Sequence, residues 1–390
     1  MEKVVIVSAC RTPIGKFGGA LKSLLAPDLG ALAMREAINR AGIEDGIIDD
    51  IKFGCCLERC DQMNTARVSA LKAGIPKEIP AMTIDRVCNS AMEAIAGGYY
   101  QILAGGASVV LAGGVESLSN QPYVSFDSRW GARLQDKVFA DAVMTGLHAG
   151  TDLIMGLTAE KLAEKYSITR EEQDEIALRS NKQAGKAVQT GRFKDETFPV
   201  TVKERRKEIV VEHDEHPRLD ATIEQLAALP PVFKKDGTVT AGNSSGINDG
   251  AAAVVIMSES KARELGKEPM AVIKGFAVTG VDPYYMGEGP VPATRKLLSN
   301  LNMKLNEIEL IECNEAFAAQ YLSVEKQLNW DREITNVNGS GIGLGHPVGC
   351  TGTRIVVTLL HEMAKRNLNT GLATLCGGGG LGMSVIIERI

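Results

Sequence analysis

The first part of the chain alternates short β-branched runs with segments of helical periodicity. Strands are predicted over 4–8 and 51–54, and helices over 28–41 and 65–73. A helix-like segment follows residue 88 and ends in glycines, and a buried strand over 108–112 is closed by Gly113 and Gly114. This order of strands and helices predicts a parallel or mixed sheet with helices packed against it.

A similar order of elements returns near the C-terminus. The pattern predicts a strand over 309–312, a helix over 349–365, a strand over 373–376, a glycine turn over 377–380 and a final strand over 383–388. Two halves with the same order of elements indicate an internal duplication. The fold class is therefore expected to be α/β.

Residues from about 119 to 240 differ from both halves because they are more polar and charged. Thr169 and Glu172 have the spacing of a capping box, which predicts a helix through residue 187. A long excursion of this kind in a compact enzyme often carries a binding surface. The basic run over 203–207 is interpreted as a solvated strand face in preference to a ligand contact.

Size and charge restrict the possible functions. A chain of 390 residues exceeds the size of one hydrophobic core, so two or more packed units are expected. A net charge of -5, without a basic stripe, makes nucleic acid a poor candidate partner. The uncharged stretch 94–115 is long enough to span a bilayer, but paired glycines divide it, which favours a buried helix followed by a buried strand. The apolar run over 4–9 is shorter than a signal-peptide core, so a cytoplasmic location is expected.

Eight cysteines are present, and three of them lie close together at Cys55, Cys56 and Cys60. Structural zinc normally shows paired short spacings, which this cluster lacks. We therefore expect buried thiols here and no metal site.

Cys88 and His346 are the first two candidates for chemistry. Cys88 lies at or just inside the start of a helix, where free N–H groups and the helix dipole favour the thiolate; a structural cysteine is the alternative. His346 lies in a segment, 338–352, with six glycines, which lets a ligand or another backbone come close to the imidazole. This segment lacks the dinucleotide fingerprint and the P-loop lysine, so phosphate binding is the weaker interpretation.

Two further segments add candidates. Cys376 ends a buried strand and precedes four glycines, whose backbone N–H groups could stabilise an oxyanion; a tight hairpin turn is the alternative. Asn314 and Glu315 directly follow the predicted strand 309–312 and could orient water and a histidine, or could form only a helix N-cap with a first-turn acid.

Eight segments together resemble the thiolase family, in the family's order and over essentially the whole chain. They are RTPIGKFGGAL (11–21), RVCNSAMEAI (86–95), AGGVES (112–117), NSSGINDGAAA (243–253), MGEGPVPA (286–293), NEAF (314–317), GHP (345–347) and CGGG (376–379).

The resemblance implies a duplicated thiolase fold of five layers, αβαβα, with an inserted loop domain. Residues 1–118 and 241–270 would form the N-terminal half, 119–240 the coenzyme A-binding loop domain, and 271–390 the C-terminal half. It also implies acyl-coenzyme A substrates, no metal or redox cofactor, no nucleic-acid or membrane partner, and a homotetramer built as a dimer of dimers, or a homodimer.

The resemblance further implies roles for individual residues. Cys88 would take the acyl group as a thioester, His346 would accept its proton and polarise the thioester oxygen, and Cys376 would remove a proton from the second acyl-coenzyme A. One oxyanion site would come from His346 and a water held by Asn314, and the other from the backbone N–H groups of Cys88 and Gly378. The substrate-binding residues implied in the same way are Ser245 at the pantetheine arm, Arg218 at the nucleotide end, and Met155, Phe317, Leu147 and Ala316 around the acyl pocket.

The chain departs from the family pattern at three places: Asn89 replaces the usual glycine after the nucleophile, Ile154 replaces a histidine before a Met-Gly pair, and 55–64 lacks the Gly-Gln-Asn pattern. The leading hypothesis is an acetyl-coenzyme A C-acetyltransferase. A thiolase for longer 3-ketoacyl chains is the second hypothesis, because Ile154 makes the acyl pocket more apolar. A non-catalytic acyl or lipid carrier on the same fold is the third.

Overall fold

The computed structural model describes residues 2–134, 136–148, 151–204 and 207–390. The strands are β1 (Val4–Arg11), β2 (Gly15–Lys16), β3 (Asp50–Gly54), β4 (Ala81–Ile84), β5 (Val109–Ser117), β6 (Tyr123–Val124), β7 (Ala140–Asp141), β8 (Val200–Glu204), β9 (Lys207–Val211), β10 (Asn248–Ser258), β11 (Ala271–Gly280), β12 (Leu310–Cys313), β13 (Thr370–Gly377) and β14 (Leu381–Arg389). The helices are α1 (Ala26–Ala41), α2 (Thr65–Lys72), α3 (Ser90–Leu103), α4 (Ala142–Gly146), α5 (Met155–Lys165), α6 (Arg170–Gln189), α7 (Ile223–Ala227), α8 (Glu259–Glu264), α9 (Pro290–Leu301), α10 (Ala318–Leu328), α11 (Gly341–Leu344) and α12 (Val348–Arg366).

The large sheet consists of two halves with the same topology. Strands pair in the order β12-β13-β14-β11-β1-β10-β5-β3-β4, and β2 pairs with β10. In the first half β3 and β5 are parallel, and β5, β10 and β1 are antiparallel neighbours. The second half repeats this pattern with β12, β13, β14 and β11. The order predicted from the sequence is thus confirmed as a duplication.

The helices give five layers. The central layer contains α3 and α12, which pack against each other and between the two sheet halves around a shared apolar cluster. One outer layer contains α1 and α2, and the other contains α9 and α10. A Cβ at Gly352 would lie 2.5 Å from the backbone nitrogen of Met92, so the two central helices approach each other at backbone distance. The five-layer α/β fold is confirmed.

Most predicted element bounds agree with the structure within a few residues, but the end predicted for β5 is wrong. The strand continues through Gly113 and Gly114 to Ser117. A Cβ at either glycine would lie 2.2 Å from a backbone oxygen, that of Ala252 for Gly113 and that of Gly349 for Gly114. These glycines therefore serve close backbone packing inside the strand and do not terminate it.

The excursion between β5 and β10 holds the small sheets β6–β7 and β8–β9 and helices α4 to α7. Thr169 caps α6 as predicted, accepting a hydrogen bond from the Glu172 N–H. Buried Arg11 connects β1 to this region through Glu196 (Nε to Oε1, 2.6 Å) and Asp214 (Nη1 to Oδ1, 2.7 Å). The excursion is thereby fixed to the C-terminal end of the central strand β1.

Several other predictions can be compared with this fold. Lys203 and Lys207 are exposed on the β8–β9 hairpin, as expected of a solvated face, whereas residues 205 and 206 of that run lie outside the described residues. The uncharged stretch 94–115 is divided into the end of α3 and most of β5, and no helix in the described ranges is long and apolar enough to cross a bilayer. The domain limits at 118/119, 240/241 and 270/271 stay a prediction.

Candidate active site

Cys88 lies in a strained turn between β4 and α3. The preceding residue, Val87, has φ +50, which a β-branched side chain rarely adopts. The Ser90 hydroxyl holds this turn, because it accepts from the Arg86 N–H (2.8 Å) and donates to the Val87 carbonyl oxygen (2.5 Å). Such strain persists only where the surroundings over-determine it, and it occurs most often at functional sites.

The electrostatics of Cys88 differ from the expectation based on the helix start. Its own N–H and the N–H of Gly378 lie within hydrogen-bonding reach of the sulfur and stabilise the thiolate. Burial is nevertheless the largest effect and raises the pKa of the Cys88 thiol to about 11, with the Glu116 and Asp85 carboxylates acting in the same direction. The resting group is therefore the thiol, and its proton needs an acceptor during reaction.

Cys376 lies at the end of β13 and is fully buried. Burial raises its pKa above the usual range, and the electrostatic interaction with Cys88 raises it further. The structure therefore brings the two cysteines, 288 positions apart in the sequence, into one site. Next to them, the turn between β13 and β14 has Gly379 and Gly380 at positive φ. This turn is the hairpin considered from the sequence, and it also supplies the Gly378 N–H to Cys88.

His346 is held as a neutral imidazole with a defined tautomer. Its Nδ1 lies 2.6 Å from the Thr351 hydroxyl oxygen, and that hydroxyl donates to the Pro347 carbonyl oxygen at 2.9 Å. The hydroxyl must then accept from Nδ1–H, which leaves the lone pair on Nε2. Burial, together with the charge of Arg354, lowers the pKa of His346 to about 3. Nε2 is therefore an available proton acceptor at neutral pH.

Asn314 and Glu315 follow β12, but neither caps a helix. Helix α10 begins later, at Ala318, and its N-cap residue is Phe317, so the N-cap interpretation is wrong. Glu315 is buried and accepts from the Ser180 hydroxyl (2.5 Å) and the Asn336 amide (2.8 Å). Asn314 is also buried, and both polar atoms of its side chain are unpaired among the described residues. Such an amide is suited to hold a water or a substrate oxygen.

The residues implied for the acyl pocket are hydrogen-bonded in two separate pairs, one of which includes Ser245, the residue implied for the pantetheine arm. The Ser245 N–H donates to the Ala316 carbonyl oxygen at 3.0 Å, and the Met155 N–H donates to the Leu147 carbonyl oxygen at 2.9 Å. The ring of Phe317 packs edge-to-face on Phe233, with 6.2 Å between the ring centroids.

A cavity of about 340 Å³ lies near the end of the excursion, and one of the residues that line it, Ser244, pairs with Phe317. Arg218, Asp220, Ser244 and His216 are among the residues that line it. Arg218 thus lines the cavity. Ser245 lies between two residues that line it, Ser244 and Gly246. The size and the mixed polar lining fit a slender, partly anionic ligand.

Glu116 belongs to the site but was given no role from the sequence. Its buried carboxylate accepts from the backbone N–H groups of Cys56 (3.1 Å), Leu57 (3.2 Å) and Gly349 (2.9 Å). It therefore ties the loop after β3 to the first turn of α12, three residues after His346. Burial raises the pKa of Glu116 to about 7, although these three N–H groups oppose the shift.

Asn248 and His216, which hold the turn before His346, were also missed, although both lie in segments that the sequence singled out. A hydrogen bond between Asn248 and His346, about 100 positions apart, leaves no local pattern in the sequence.

No group of three His, Cys, Asp or Glu side chains in the described part of the chain could hold a metal ion.

Comparisons with known proteins match the whole chain. The family model for the thiolase N-terminal domain matches residues 4–260, and that for the thiolase C-terminal domain matches residues 267–389. An acetyl-CoA acetyltransferase of Syntrophomonas wolfei is 48% identical over 100% of both chains, and a probable acetyl-CoA acetyltransferase of Escherichia coli is 49% identical over 100% of both.

Solved structures of the same family have the same fold as this chain. An acetyl-CoA acetyltransferase of Bacillus anthracis is similar with a TM-score of 0.99 at 52% identity, covering 100% of this chain and 99% of that one. Human mitochondrial 3-ketoacyl-CoA thiolase in complex with CoA is similar with a TM-score of 0.96 at 43% identity, covering 100% and 98%.

Proposed function

This chain belongs to the thiolase family, and from that premise we propose that it condenses two acetyl-CoA to acetoacetyl-CoA and CoA, or catalyses the reverse thiolysis. The observation that carries the proposal is the electrostatic interaction between the thiols of half-buried Cys88 and buried Cys376. A neutral imidazole, His346, is connected to this pair through Glu116, which accepts from the Gly349 N–H and acts on Cys88. These groups are the ones that a ping-pong course through a covalent thioester requires.

In the first half-reaction the sulfur of Cys88 attacks the thioester carbon of acetyl-CoA while its proton moves to Nε2 of His346. The backbone N–H groups of Cys88 and Gly378 stabilise the oxyanion. The CoA thiolate then leaves and takes a proton from the Cys376 thiol. An acetyl thioester remains on Cys88, with Cys376 as thiolate and His346 as imidazolium.

In the second half-reaction the Cys376 thiolate removes a proton from the methyl carbon of a second acetyl-CoA. The His346 imidazolium, with a water held by Asn314, stabilises the enolate oxygen. The carbanion attacks the acetyl group on Cys88 and expels its thiolate, which recovers a proton from His346. Burial strengthens this step, because a thiolate with a raised pKa is a stronger base.

The proposal is tested by thiolysis of acetoacetyl-CoA with CoA, followed through loss of the substrate absorbance. Cys88→Ala is expected to abolish turnover and to prevent the covalent acetylation by acetyl-CoA that intact mass detects. Cys60→Ala is the matched control, because Cys60 is exposed and outside the site. Unchanged turnover in Cys88→Ala would exclude the proposed function, and absence of the acetyl adduct in the parent protein would exclude its covalent course.

A longer 3-ketoacyl-CoA substrate is the second candidate. Met155 and Phe233 pack against the apolar cluster that contains Phe317, which gives this end of the site an apolar wall, and Ile154, next to Met155 in the sequence, is partly buried. Specificity constants for four-carbon and eight-carbon 3-ketoacyl-CoA distinguish the two functions. A strong four-carbon preference excludes the longer substrate.

No metal or redox cofactor is required by this course, since every step uses thiols, an imidazole and backbone N–H groups. Activity is therefore expected to survive dialysis against a chelator. A fall in activity that added metal restores would contradict this part of the proposal.

We further propose a cytoplasmic homotetramer. All eight cysteines are free thiols, which suits a reducing compartment. β4 is an open edge of the large sheet, suited to pairing with a second copy, and Phe126, Trp130 and Leu134 are exposed apolar side chains suited to a further contact. Light scattering after size exclusion tests the assembly: the parent protein should be a tetramer and Trp130→Glu a dimer. A monomeric parent protein would contradict it.

A further inference from the structure

The turn that carries His346 is rich in glycine and has little stiffness of its own. Gly339 and Gly345 have positive φ, and the segment between them contains a single turn of helix, α11. Such a backbone can adopt many conformations, and holding one of them costs entropy. The position of the imidazole must therefore be fixed by groups outside the turn.

Asn248 holds the C-terminal end of this turn. Its side-chain oxygen accepts from the His346 N–H at 2.9 Å, and its amide nitrogen donates to the Gly15 carbonyl oxygen at 2.9 Å. A Cβ at Gly345 would lie 2.6 Å from the Asn248 amide, so the side chain packs directly on the turn. Asn248 is fully buried at the first position of β10, and the large sheet fixes it.

His216 contacts the middle of the turn, which Ser180 also holds by accepting from the Ser340 and Gly343 N–H groups. The Nε2 of His216 lies 3.1 Å from the carbonyl oxygen of Ile342, and its Nδ1 lies 3.3 Å from the amide nitrogen of Asn248. Both contacts are satisfied by the neutral tautomer that donates from Nε2 and accepts at Nδ1. Burial lowers the pKa of His216 to about 4, which keeps the ring in this form at neutral pH.

His216 is also part of the wall of the 340 Å³ cavity, where Arg218, Ser244 and Gly246 lie next to it. A Cβ at Gly246 would lie 2.2 Å from the imidazole of His216, so the ring packs closely against the loop that leads into β10 at Asn248. A ligand in the cavity would therefore contact the same side chain that holds the turn at Ile342.

We propose that His216 and Asn248 form a clamp that positions His346 and connects its turn to the cavity that takes the pantetheine arm of CoA. Neither residue touches the reacting atoms, so both are positioning residues. The connection to CoA rests on the function proposed above. The clamp itself depends only on the hydrogen bonds and close contacts within the chain.

The clamp predicts different kinetic effects for its two members. Asn248→Ala should lower kcat by about 10- to 100-fold, because a displacement of about 1 Å at a catalytic group costs that much, with KM for CoA changed by less than about threefold. His216→Ala should lower kcat and also raise KM for CoA, because it removes part of the cavity wall. His216→Gln should recover most of kcat, since its amide can still donate to Ile342.

His361→Gln is the matched control, because His361 is another partly buried histidine that bonds to a carbonyl oxygen, that of Ala9, at 3.2 Å. This variant should keep the parent kcat. Melting temperatures of all the variants separate loss of folding from loss of positioning, and if Asn248→Ala fails to fold, the His216 pair decides the outcome. The clamp would be overturned if His216→Ala kept the kcat and KM of the parent protein. It would also be overturned if His216→Gln and His216→Ala lost kcat equally.

A second measurement separates the clamp from the proposed function. Hydrogen exchange of the His346 backbone N–H, followed by mass spectrometry of the segment 339–347, needs no CoA substrate and reports directly on the bond that Asn248 accepts. Exchange should be faster in Asn248→Ala and His216→Ala than in the parent protein and should stay at the parent value in His361→Gln. An inactive parent protein would refute the thiolase reaction alone, whereas unchanged exchange in both clamp variants would refute the clamp.

Discussion

The resting protonation state of Cys88 leads to a measurable pH dependence. Burial moves the thiol pKa from 9.0 to about 11, which corresponds to a net cost of about 3 kcal/mol for the thiolate. The start of a helix stabilises an anion by about 1 kcal/mol or less. Burial therefore prevails over the dipole of α3, and the sulfur carries its proton until a substrate arrives.

The perturbation is a change of pH from 8 to 10 in the absence of substrate. A thiol with a pKa of about 11 is ionised in about one molecule in a thousand at pH 8, and the thiolate fraction grows about tenfold per pH unit. The rate of alkylation at Cys88 should therefore rise about 100-fold over this range, because the thiolate is the reactive form.

The assay is a time course of iodoacetamide labelling, quantified for the Cys88 peptide by mass spectrometry. The adduct at exposed Cys60 in the same digest corrects for reagent loss. A rate that reaches its plateau at or below pH 8 would refute the reasoning, since it would mean that a preformed thiolate pairs with His346.

Three further outcomes are expected. Cys376→Ser should still acquire an acetyl group on Cys88 but should lose condensation by about 10²- to 10⁴-fold, as intact mass and turnover will show; unaltered condensation would contradict the base assignment. Glu116 has a folded pKa raised from 4.5 to about 7, so the stability that it contributes is fully present below pH 4.5 and is lost as the pH rises through 7. The melting temperature should therefore fall between pH 5 and 8 in the parent protein and less in Glu116→Gln, and equal slopes would count against a raised pKa. Gly349→Ala places a Cβ 2.7 Å from the Cys56 nitrogen and should lower the free energy of unfolding by about 1–3 kcal/mol in denaturant titrations, whereas a neutral effect would show that the loop yields.

The sequence predicts the repeating framework well because that framework is local. Periodicity and caps locate α1, β3, α2 and α12 within a few residues, and the repeated order of elements indicates the duplication. The glycines after residue 112 mislead, because a glycine that ends a strand and a glycine that admits a neighbouring backbone have the same appearance in the sequence. Gly113 and Gly114 are of the second kind.

The site is less accessible to sequence reasoning because its parts meet only after folding. Cys88, His346 and Cys376 are identifiable from their glycine-rich or helix-start surroundings. The groups that control them are single residues on distant elements: Glu116 on β5, and Asn248 on β10. The thiolate predicted for Cys88 also fails for a non-local reason, because the depth of burial is set by elements from both halves of the chain.

The duplication divides the catalytic groups between the two copies. Cys88 lies just before the start of helix α3 in the first copy. The turn with His346 lies just before the start of helix α12 in the second copy. The distance between sulfur and imidazole is therefore governed by how these two helices pack, with Gly352 against Met92 at the point of closest approach. A single methyl group added at Gly352 would separate the two helices and change that distance, so the effect of tight packing between the two copies should appear in enzymatic activity.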